Sequence, residues 1–377
     1  MELYIHLPFC RSKCRYCDFP SFAGCEKHFA AYVDALLNEA HTEASVPVET
    51  VFIGGGTPSI LPAPLMAKLL LGLREHFDFA ADVEFTSEAN PGTLTQAWLD
   101  AAVSGGVNRL SLGMQAYQPR LLRTLGRIHD FEHVKDSVAM ARSAGIRNIN
   151  LDLMFGLPGQ TPADWLETLE AALSLQPEHL SCYGLIHEEG TPLTADLEAG
   201  RLTLPDEADE RVMYDDTLRI LAQHGYQQYE ISNFAKPGYA CRHNLGYWRQ
   251  VPYLGLGASA SSMLPDPNGS AAYLRRTNPP SPTDYLAMME SHDFSRRETL
   301  TISREEAMFE TLMLGLRTTA GVAEADFLAM HGEPITHRYG NTLEKLRAQG
   351  LLEHRDGRWY LTRRGMDVQN AVLVELM

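Results

Sequence analysis

A chain of 377 residues, 45% hydrophobic and 21% charged, has the composition of a soluble globular protein and length for about two domains with a sizeable core. Its 48 Asp and Glu against 32 Lys and Arg leave a formal charge of −16, which works against a long footprint on nucleic acid. No stretch approaches a membrane span, Met1-Glu2-Leu3-Tyr4 lacks a basic signal region, and six cysteines are too sparse for a stapled secreted domain, so a reduced, cytoplasmic protein is expected.

Short β-branched or aromatic runs alternate with stretches of helical period along the first half. Leu3 to His6 reads as a strand, Phe29 to Ala40 as a helix, Thr50 to Ile53 as a strand and Leu65 to Phe77 as a helix. Strands at Val83 to Glu88, Arg109 to Met114, Ile149 to Phe155 and Leu180 to Leu185 follow, interleaved with helices at Thr95 to Val103, Phe131 to Ala144 and Pro162 to Leu175. The rhythm predicts an α/β protein with a parallel sheet, open or closed into a barrel, whose ligand site gathers at the C-terminal strand ends.

The first strand runs into Cys10-Arg11-Ser12-Lys13-Cys14-Arg15-Tyr16-Cys17. Three thiolates so close can hold three irons of a four-iron cluster and leave the fourth open, whereas an electron-transfer cluster normally uses four cysteines. A structural zinc site completed by His6 or Asp18 is the competing reading, although no second paired CxxC accompanies it. Arg11, Lys13 and Arg15 either offset a net negative cluster or are ordinary solvated charges. Cys25, Cys182 and Cys241 stand alone and read as small core residues.

Later strands end in polar groups as well. The second leads into Gly54-Gly55-Gly56-Thr57-Pro58, which either lets a ligand approach bare backbone with free amides or is only a tight turn. Ser87-Glu88-Ala89-Asn90-Pro91 closes the third, Gly113-Met114-Gln115 the fourth, and Asp152 precedes Phe155-Gly156-Leu157-Pro158-Gly159 on the fifth. One polar group at each successive strand end is the pattern of a barrel active site.

Cys10-x3-Cys14-x2-Cys17 with Tyr16 before the last cysteine, and Gly-Gly-Thr-Pro on the second strand, resembles the radical S-adenosylmethionine superfamily. Tyr4-Ile5-His6-Leu7-Pro8-Phe9-Cys10 and Asp152-Leu153-Met154-Phe155-Gly156-Leu157-Pro158-Gly159-Gln160-Thr161 resemble its HemN/HemW branch, over essentially the whole chain. The resemblance implies a partial (β/α)6 TIM-type barrel. It implies a [4Fe–4S] cluster on Cys10, Cys14 and Cys17, whose open iron is chelated by S-adenosylmethionine and whose electron cleaves it to a 5′-deoxyadenosyl radical. It places Tyr4 and Tyr16 along the adenosylmethionine pocket and Gly55, Gly56 and Thr57 at its amino-acid end. Glu88 would meet an ammonium or ribose hydroxyl, Gln115 and Arg127 a carboxylate or ribose, and Asp152 ribose hydroxyls; spacing favours Arg127 over Arg120 or Arg123.

The branch divides at two places. HemN-type coproporphyrinogen III dehydrogenases carry a further cysteine two positions after the third ligand, where this chain has Phe19, and a longer segment ahead of the first motif, where it has Met1 to Leu3. His243-Asn244-Leu245-Gly246-Tyr247-Trp248 matches the H-N-x-x-Y-W pattern of HemW-type proteins, which bind heme and hand it to acceptor heme proteins. By that resemblance His243, Asn244, Tyr247 and Trp248 form the heme site, the imidazole facing iron and Arg242 and Arg249 answering the propionates. A polar loop packed on the core is the competing reading, and His6, His187 and Cys241 compete as axial ligands.

After residue 235 the character changes. Residues 236–300 hold the H-N-x-x-Y-W segment and turn-rich stretches at Leu264 to Gly269 and Asn278 to Pro282 that read as loops leading out of the barrel. Residues 301–377, with helices at Glu305 to Leu316 and Asn341 to Ala348 and a hairpin tipped by Asp356-Gly357, read as a winged-helix-like C-terminal unit. The combined expectation is a heme chaperone with heme, acceptor heme proteins and an electron donor as partners, and with room for a homodimer. A radical enzyme acting on coproporphyrinogen III is the alternative.

Overall fold

A computed structural model describes residues 1–377. The expected alternation is present at every step: β1 (Glu2–Leu7), α1 (Phe29–Thr42), β2 (Pro47–Gly55), α2 (Ala63–His76), β3 (Asp78–Ala89), α3 (Gln96–Ser104), β4 (Arg109–Gln115), α4 (Phe131–Ser143), β5 (Asn148–Phe155), α5 (Pro162–Ser174) and β6 (His179–Gly184). Helix starts follow local chemistry. Thr161 and Asp164 form a capping box ahead of Pro162, and Asp130 with His133 forms another at α4. Strands β2 and β3 outrun their β-branched centres because Pro47 and Val48 pair with Asp78 and Phe79 before an irregularity resets the register at Thr50.

Helix α6 (Glu207–Gln223) leads to β7 (Gln227–Gln228) and β8 (Asn233–Ala235), which turn back antiparallel beside β6. The chain then crosses to the far side of β1 through α7 (Arg242–Trp248), where β9 (Tyr253–Leu256) pairs parallel with β1. Three antiparallel strands continue outward: β10 (Ser261–Leu264), β11 (Tyr273–Thr277) and β12 (Glu298–Ile302). The sheet order is therefore β12-β11-β10-β9-β1-β2-β3-β4-β5-β6-β8-β7, seven parallel strands from β9 to β6 in an open, partial barrel.

The parallel strands separate two faces with period two. Leu110, Leu112, Ile149, Leu151, Leu180 and Cys182 face the helices and join a core of 53 buried residues. Arg109, Ser111, Asn150, Asp152, His179 and Ser181 occupy the alternate positions and line the barrel interior.

The turn-rich stretches at Leu264 to Gly269 and Asn278 to Pro282 do not lead away from the barrel. They connect β10 to β11, and β11 to α8 (Pro282–Ser291), because β9 has already returned the chain to the sheet. Helix α8 lies on α1. There the buried Glu39 accepts from Tyr285 Oη at 2.7 Å, Asn278 Nδ2 at 2.7 Å and Arg297 at 2.8 Å, so both carboxyl oxygens are partnered.

Residues beyond 303 build a separate core of 14 buried residues from α9 (Arg304–Gly315), α10 (Glu324–His331), α11 (Ile335–Ala348) and α12 (Gln369–Leu376). A small sheet of β13 (Val322–Ala323), β14 (Leu352–Arg355) and β15 (Arg358–Leu361) completes it. Asp356 and Gly357 turn the β14–β15 hairpin with φ of 54° and 68°, the double positive φ of a type I′ turn. Helix α11 begins six residues before the expected Asn341, since Ile335, Tyr339, Leu343 and Leu346 form one continuous buried stripe.

Candidate functional site

A cavity of about 630 Å³ opens at the C-terminal ends of the parallel strands. Cys10, Cys14 and Cys17 line it together with Tyr4, Tyr16, Gly55, Gly56, Thr57, Glu88, Gln115, Arg127 and Asp152, so the expected cluster and adenosylmethionine residues meet in one place. The cysteine loop is clamped from both sides. Arg15 N donates to Leu125 O at 3.0 Å, Leu193 N donates to Arg15 O at 2.9 Å, and the Arg15 guanidinium pairs with Asp196. Arg15 therefore anchors the loop, and its charge is spent on Asp196; Arg11 and Lys13 stay exposed.

Burial pushes the Cys14 and Cys17 thiols upward, which an iron ligand reverses by binding the thiolate. His6 does not complete a tetrahedral set. Its Nδ1 is 2.9 Å from Tyr4 Oη and its Nε2 3.0 Å from Pro20 O, so both ring nitrogens are engaged. No three His, Cys, Asp or Glu side chains close around a single ion. An all-thiol donor set on one loop facing a large cavity fits a cluster with an open iron better than zinc.

The glycine turn works differently from the expectation of free amides. Gly55 N donates to Glu88 Oε2 at 3.1 Å, Gly56 N to Leu7 O at 2.9 Å and Thr57 N to Phe9 O at 2.7 Å. A Cβ at Gly54 would lie 2.8 Å from the Glu88 carboxyl, and one at Gly55, where φ is 96°, would strike the His6 ring. The glycines are needed for β2 to approach β1 and the cysteine loop. Thr57 Oγ1 links the turn to the cluster loop, 3.5 Å from Cys10 Sγ.

Two half-buried carboxylates, Glu88 and Asp152, face the cavity. Burial, and then the charge of Asp152, push Glu88 up to about 8; burial also raises Asp152, whose oxygens accept from Asn150 at 2.7 Å and Ser111 at 3.1 Å. Paired carboxylates disfavoured as anions call for a cation, such as the ammonium and sulfonium of adenosylmethionine. Arg127 supplies the opposite sign. Its guanidinium donates to Asn90 Oδ1 at 2.8 Å and Tyr16 Oη at 2.7 Å, and its buried Nε has no partner. These groups suit a zwitterionic ligand.

Gln115 ends β4 with φ of 65°, an unusual conformation for a side-chain-bearing residue at a functional strand end. Tyr183 Oη holds its amide oxygen at 3.1 Å, and Gly113 leaves space for both Gln115 and Arg127. Asn90, Ser111 and Tyr183 thus belong to the site although sequence reasoning assigned them no role. Asn90 and Ser111 could have been found from the polar face of their strands; Tyr183 sat in an apolar run and gave no such signal.

The H-N-x-x-Y-W segment is a short helix across the barrel floor, neither a polar loop nor an exposed ligand platform. His243 is buried, its Nδ1 2.8 Å from Thr50 Oγ1 and its Nε2 2.9 Å from Tyr247 Oη, with the ring stacked on Phe52. Both imidazole nitrogens are thus hydrogen-bonded, and an iron at Nε2 would take the place of the Tyr247 hydroxyl. Burial, and then Arg109, lower the His243 pKa to about 3. Glu84 accepts from His243 N at 3.2 Å, and a side chain at Gly246 would collide with the Glu2 carboxylate. His243 and Asn244 line a smaller 230 Å³ space beneath the main cavity; Tyr247 lines both, and Trp248 neither. Arg242 pairs with Asp82, also on the floor. Of the competing ligands, Cys241 is buried beside Glu84 and His187 is exposed.

Residues 4–172 match the Radical SAM superfamily, and residues 302–368 match the HemN C-terminal domain. The chain is 37% identical to heme chaperone HemW of Bacillus subtilis (strain 168), over 98% of this chain and 97% of that protein. It is also 37% identical to heme chaperone HemW of Escherichia coli (strain K12), over 99% and 97%. Radical S-adenosyl methionine domain-containing protein 1, mitochondrial, of Danio rerio is 32% identical over 85% and 73%. Among solved structures, coproporphyrinogen III oxidase (HemN) from Escherichia coli, a radical SAM enzyme, superposes with a TM-score of 0.84 at 24% identity, covering all of this chain and 89% of that one. The fold is thus shared with HemN, and on near-full-length similarity the chain belongs to the HemW family of the radical S-adenosylmethionine superfamily.

Proposed function

We propose that this protein binds heme and transfers it to acceptor heme proteins, carrying a [4Fe–4S] cluster on Cys10, Cys14 and Cys17 with S-adenosylmethionine beside it. The observation that carries the reading is near-full-length similarity to relatives named heme chaperone HemW. Phe19 supports it: at the position of the further HemN-type cysteine, this side chain stands 61% exposed at the cavity mouth. When bound and reduced, the cluster supplies an electron for cleavage of a sulfonium C–S bond. This chain's own residues would hold the ligand: Glu88 and Asp152 would face its cationic groups, Arg127 and Tyr16 its carboxylate end, and Tyr4 the adenosyl side.

An anaerobic preparation with reconstituted cluster tests this directly. Heme titration should give a saturable Soret band, and mixing with an apo heme protein should move the heme to the acceptor. Incubation with coproporphyrinogen III, adenosylmethionine and reductant should give no protoporphyrinogen. Robust vinyl formation without heme retention would replace the chaperone reading with the dehydrogenase one.

A further inference from the structure

Beneath Asp152 the interior face of the parallel strands carries a further layer of polar groups. Ser111 on β4, Asn150 on β5 and His179 on β6 stand side by side, Ser111 in register with Asn150 and Asn150 with His179. Asn150 Nδ2 donates to Asp152 Oδ1 at 2.7 Å and to Ser111 Oγ at 2.7 Å, and Ser111 Oγ donates to Asp152 Oδ2 at 3.1 Å. Both Asp152 oxygens thus receive a donor from below. Asn150 is 2% exposed and His179 1%, so bulk water does not stand in for these bonds.

The partners fix the direction of every proton in this layer. With Nδ2 given to Asp152, Asn150 turns its Oδ1 to His179, whose Nδ1 lies 2.6 Å away. Two lone pairs at that distance would repel, so Nδ1 carries the proton and donates. Burial, and then the charge of Arg109, hold His179 well below the usual imidazole range, so the ring is neutral and its Nε2 accepts. Tyr229 Oη, between β7 and β8, donates to that nitrogen at 2.8 Å, and Asn244 Nδ2 donates in turn to Tyr229 Oη at 3.4 Å. The chain therefore runs one way, from Asn244 on α7 through Tyr229, His179 and Asn150 to Asp152. Glu88, the other carboxylate of the cavity, accepts only from Gly55 N.

We propose that His179 and Tyr229 are positioning residues that act through Asn150 to keep Asp152 the ionised member of the carboxylate pair, aimed at the cation of the bound ligand. The inference deepens the adenosylmethionine reading above and rests on it. Hydrogen bonds to a carboxylate favour its anion, and in an interacting pair the member with fewer donors takes the proton. Asp152, with donors on both oxygens, keeps the charge, and Glu88 takes the proton. Without the Nδ1 donor, Asn150 Oδ1 keeps only Ser181 Oγ at 3.2 Å, and the amide can turn to set its carbonyl oxygen against Asp152. The His179 ring holds that amide in the productive orientation, and Tyr229 holds the ring in the tautomer this requires. Because the far end of the chain lies on α7, the H-N-x-x-Y-W helix and the cluster cavity share one hydrogen-bonded path.

The test measures adenosylmethionine affinity by anaerobic calorimetry on cluster-reconstituted holoprotein carrying His179→Phe, alone and on an Asp152→Asn background. Alone, His179→Phe should weaken binding about tenfold, and Tyr229→Phe about threefold. On the Asp152→Asn background, His179→Phe should cost less than about twofold, because the carboxylate it positions is gone. His179→Asn, whose amide sets a donor at the Nδ1 position, should recover most of the affinity, which packing alone does not give. An equal loss on both backgrounds, a His179→Asn variant as weak as His179→Phe, or unchanged affinity in a folded His179→Phe each overturns the positioning role and leaves the ligand reading intact. Should His179→Phe not fold, Tyr229→Phe on the two backgrounds decides by the same comparison. A wild-type holoprotein that binds no adenosylmethionine removes the ligand reading and the positioning role together.

Discussion

His243 Nδ1 lies 2.8 Å from Thr50 Oγ1, a bond that joins helix α7 to the start of β2 across 193 residues of sequence. With Tyr247 on the other ring nitrogen, it makes the imidazole a strut in the barrel floor. Replacing His243 with Ala strands the Thr50 and Tyr247 hydroxyls and opens a space under Phe52. The expected loss is about 2–4 kcal/mol of stability, read by denaturant unfolding. Heme affinity of the folded fraction separates the two roles of the ring: unchanged affinity confines His243 to the strut, and abolished binding in a variant of normal stability makes it the iron ligand.

Acid should destabilise the protein through its buried histidines. Burial, and then Arg109, hold His243 at about 3 and His179 well below the usual imidazole range, and burial with Arg127 lowers His129 to about 4. Each has a folded pKa below its unfolded value near 6.5. Their contribution is therefore fully present above about pH 6.5 and is lost as pH falls toward the folded values. Carboxyls that burial raises to about 8, Glu2 and Glu88, act in the opposite sense over the same range in both proteins, so the readout is the difference: between pH 7 and pH 4.5 His243→Gln should lose less stability than the wild type. An equal slope in that variant would contradict the assignment.

Glu88 should give adenosylmethionine binding a pH dependence. A carboxyl pushed up to about 8 is mostly neutral at pH 7, and a cationic ligand favours its ionised form, so affinity should rise as pH rises through about 8. The ligand's own ammonium titrates in the same region. The informative quantity is thus the ratio of wild-type to Glu88→Gln affinity at each pH, measured by calorimetry under anaerobic conditions. The ratio should grow with pH; a constant ratio would show that Glu88 does not face the cation.

Arg15→Ala should loosen the cluster loop without touching an iron ligand. The substitution removes the pairing with Asp196 but leaves the backbone bonds to Leu125 and Leu193. Reconstituted iron content should stay near wild type, while bleaching of the cluster in air should speed up several-fold, a change followed by visible absorbance. Bleaching at the wild-type rate would confine Arg15 to the surface role of a solvated charge.

Much of this architecture was legible in the chain. Period-two strands and 3.6-period helices gave the βα order, and polar residues at the strand ends found Glu88, Gln115 and Asp152 before any geometry. The family motifs added the cluster and its ligand. What could not be read was use. Gly54 to Thr57 looked like a ligand cradle, yet its amides are consumed by Glu88, Leu7 and Phe9. His243 looked like a ligand because spacing cannot show which partners a buried imidazole has already taken.

Helix α7 carries the chain from β8, next to one edge of the open sheet, to β9 on the far side of β1, beneath β1, β2 and β3. A horseshoe of strands whose two arms are tied by one short tether resists opening. Cleaving the tether, or moving the termini into it by circular permutation, frees the two arms to spread even though every strand remains paired with its neighbours. The H-N-x-x-Y-W sequence therefore sets the bore of the barrel, and through it the separation of the strand ends that carry the cavity on the opposite rim.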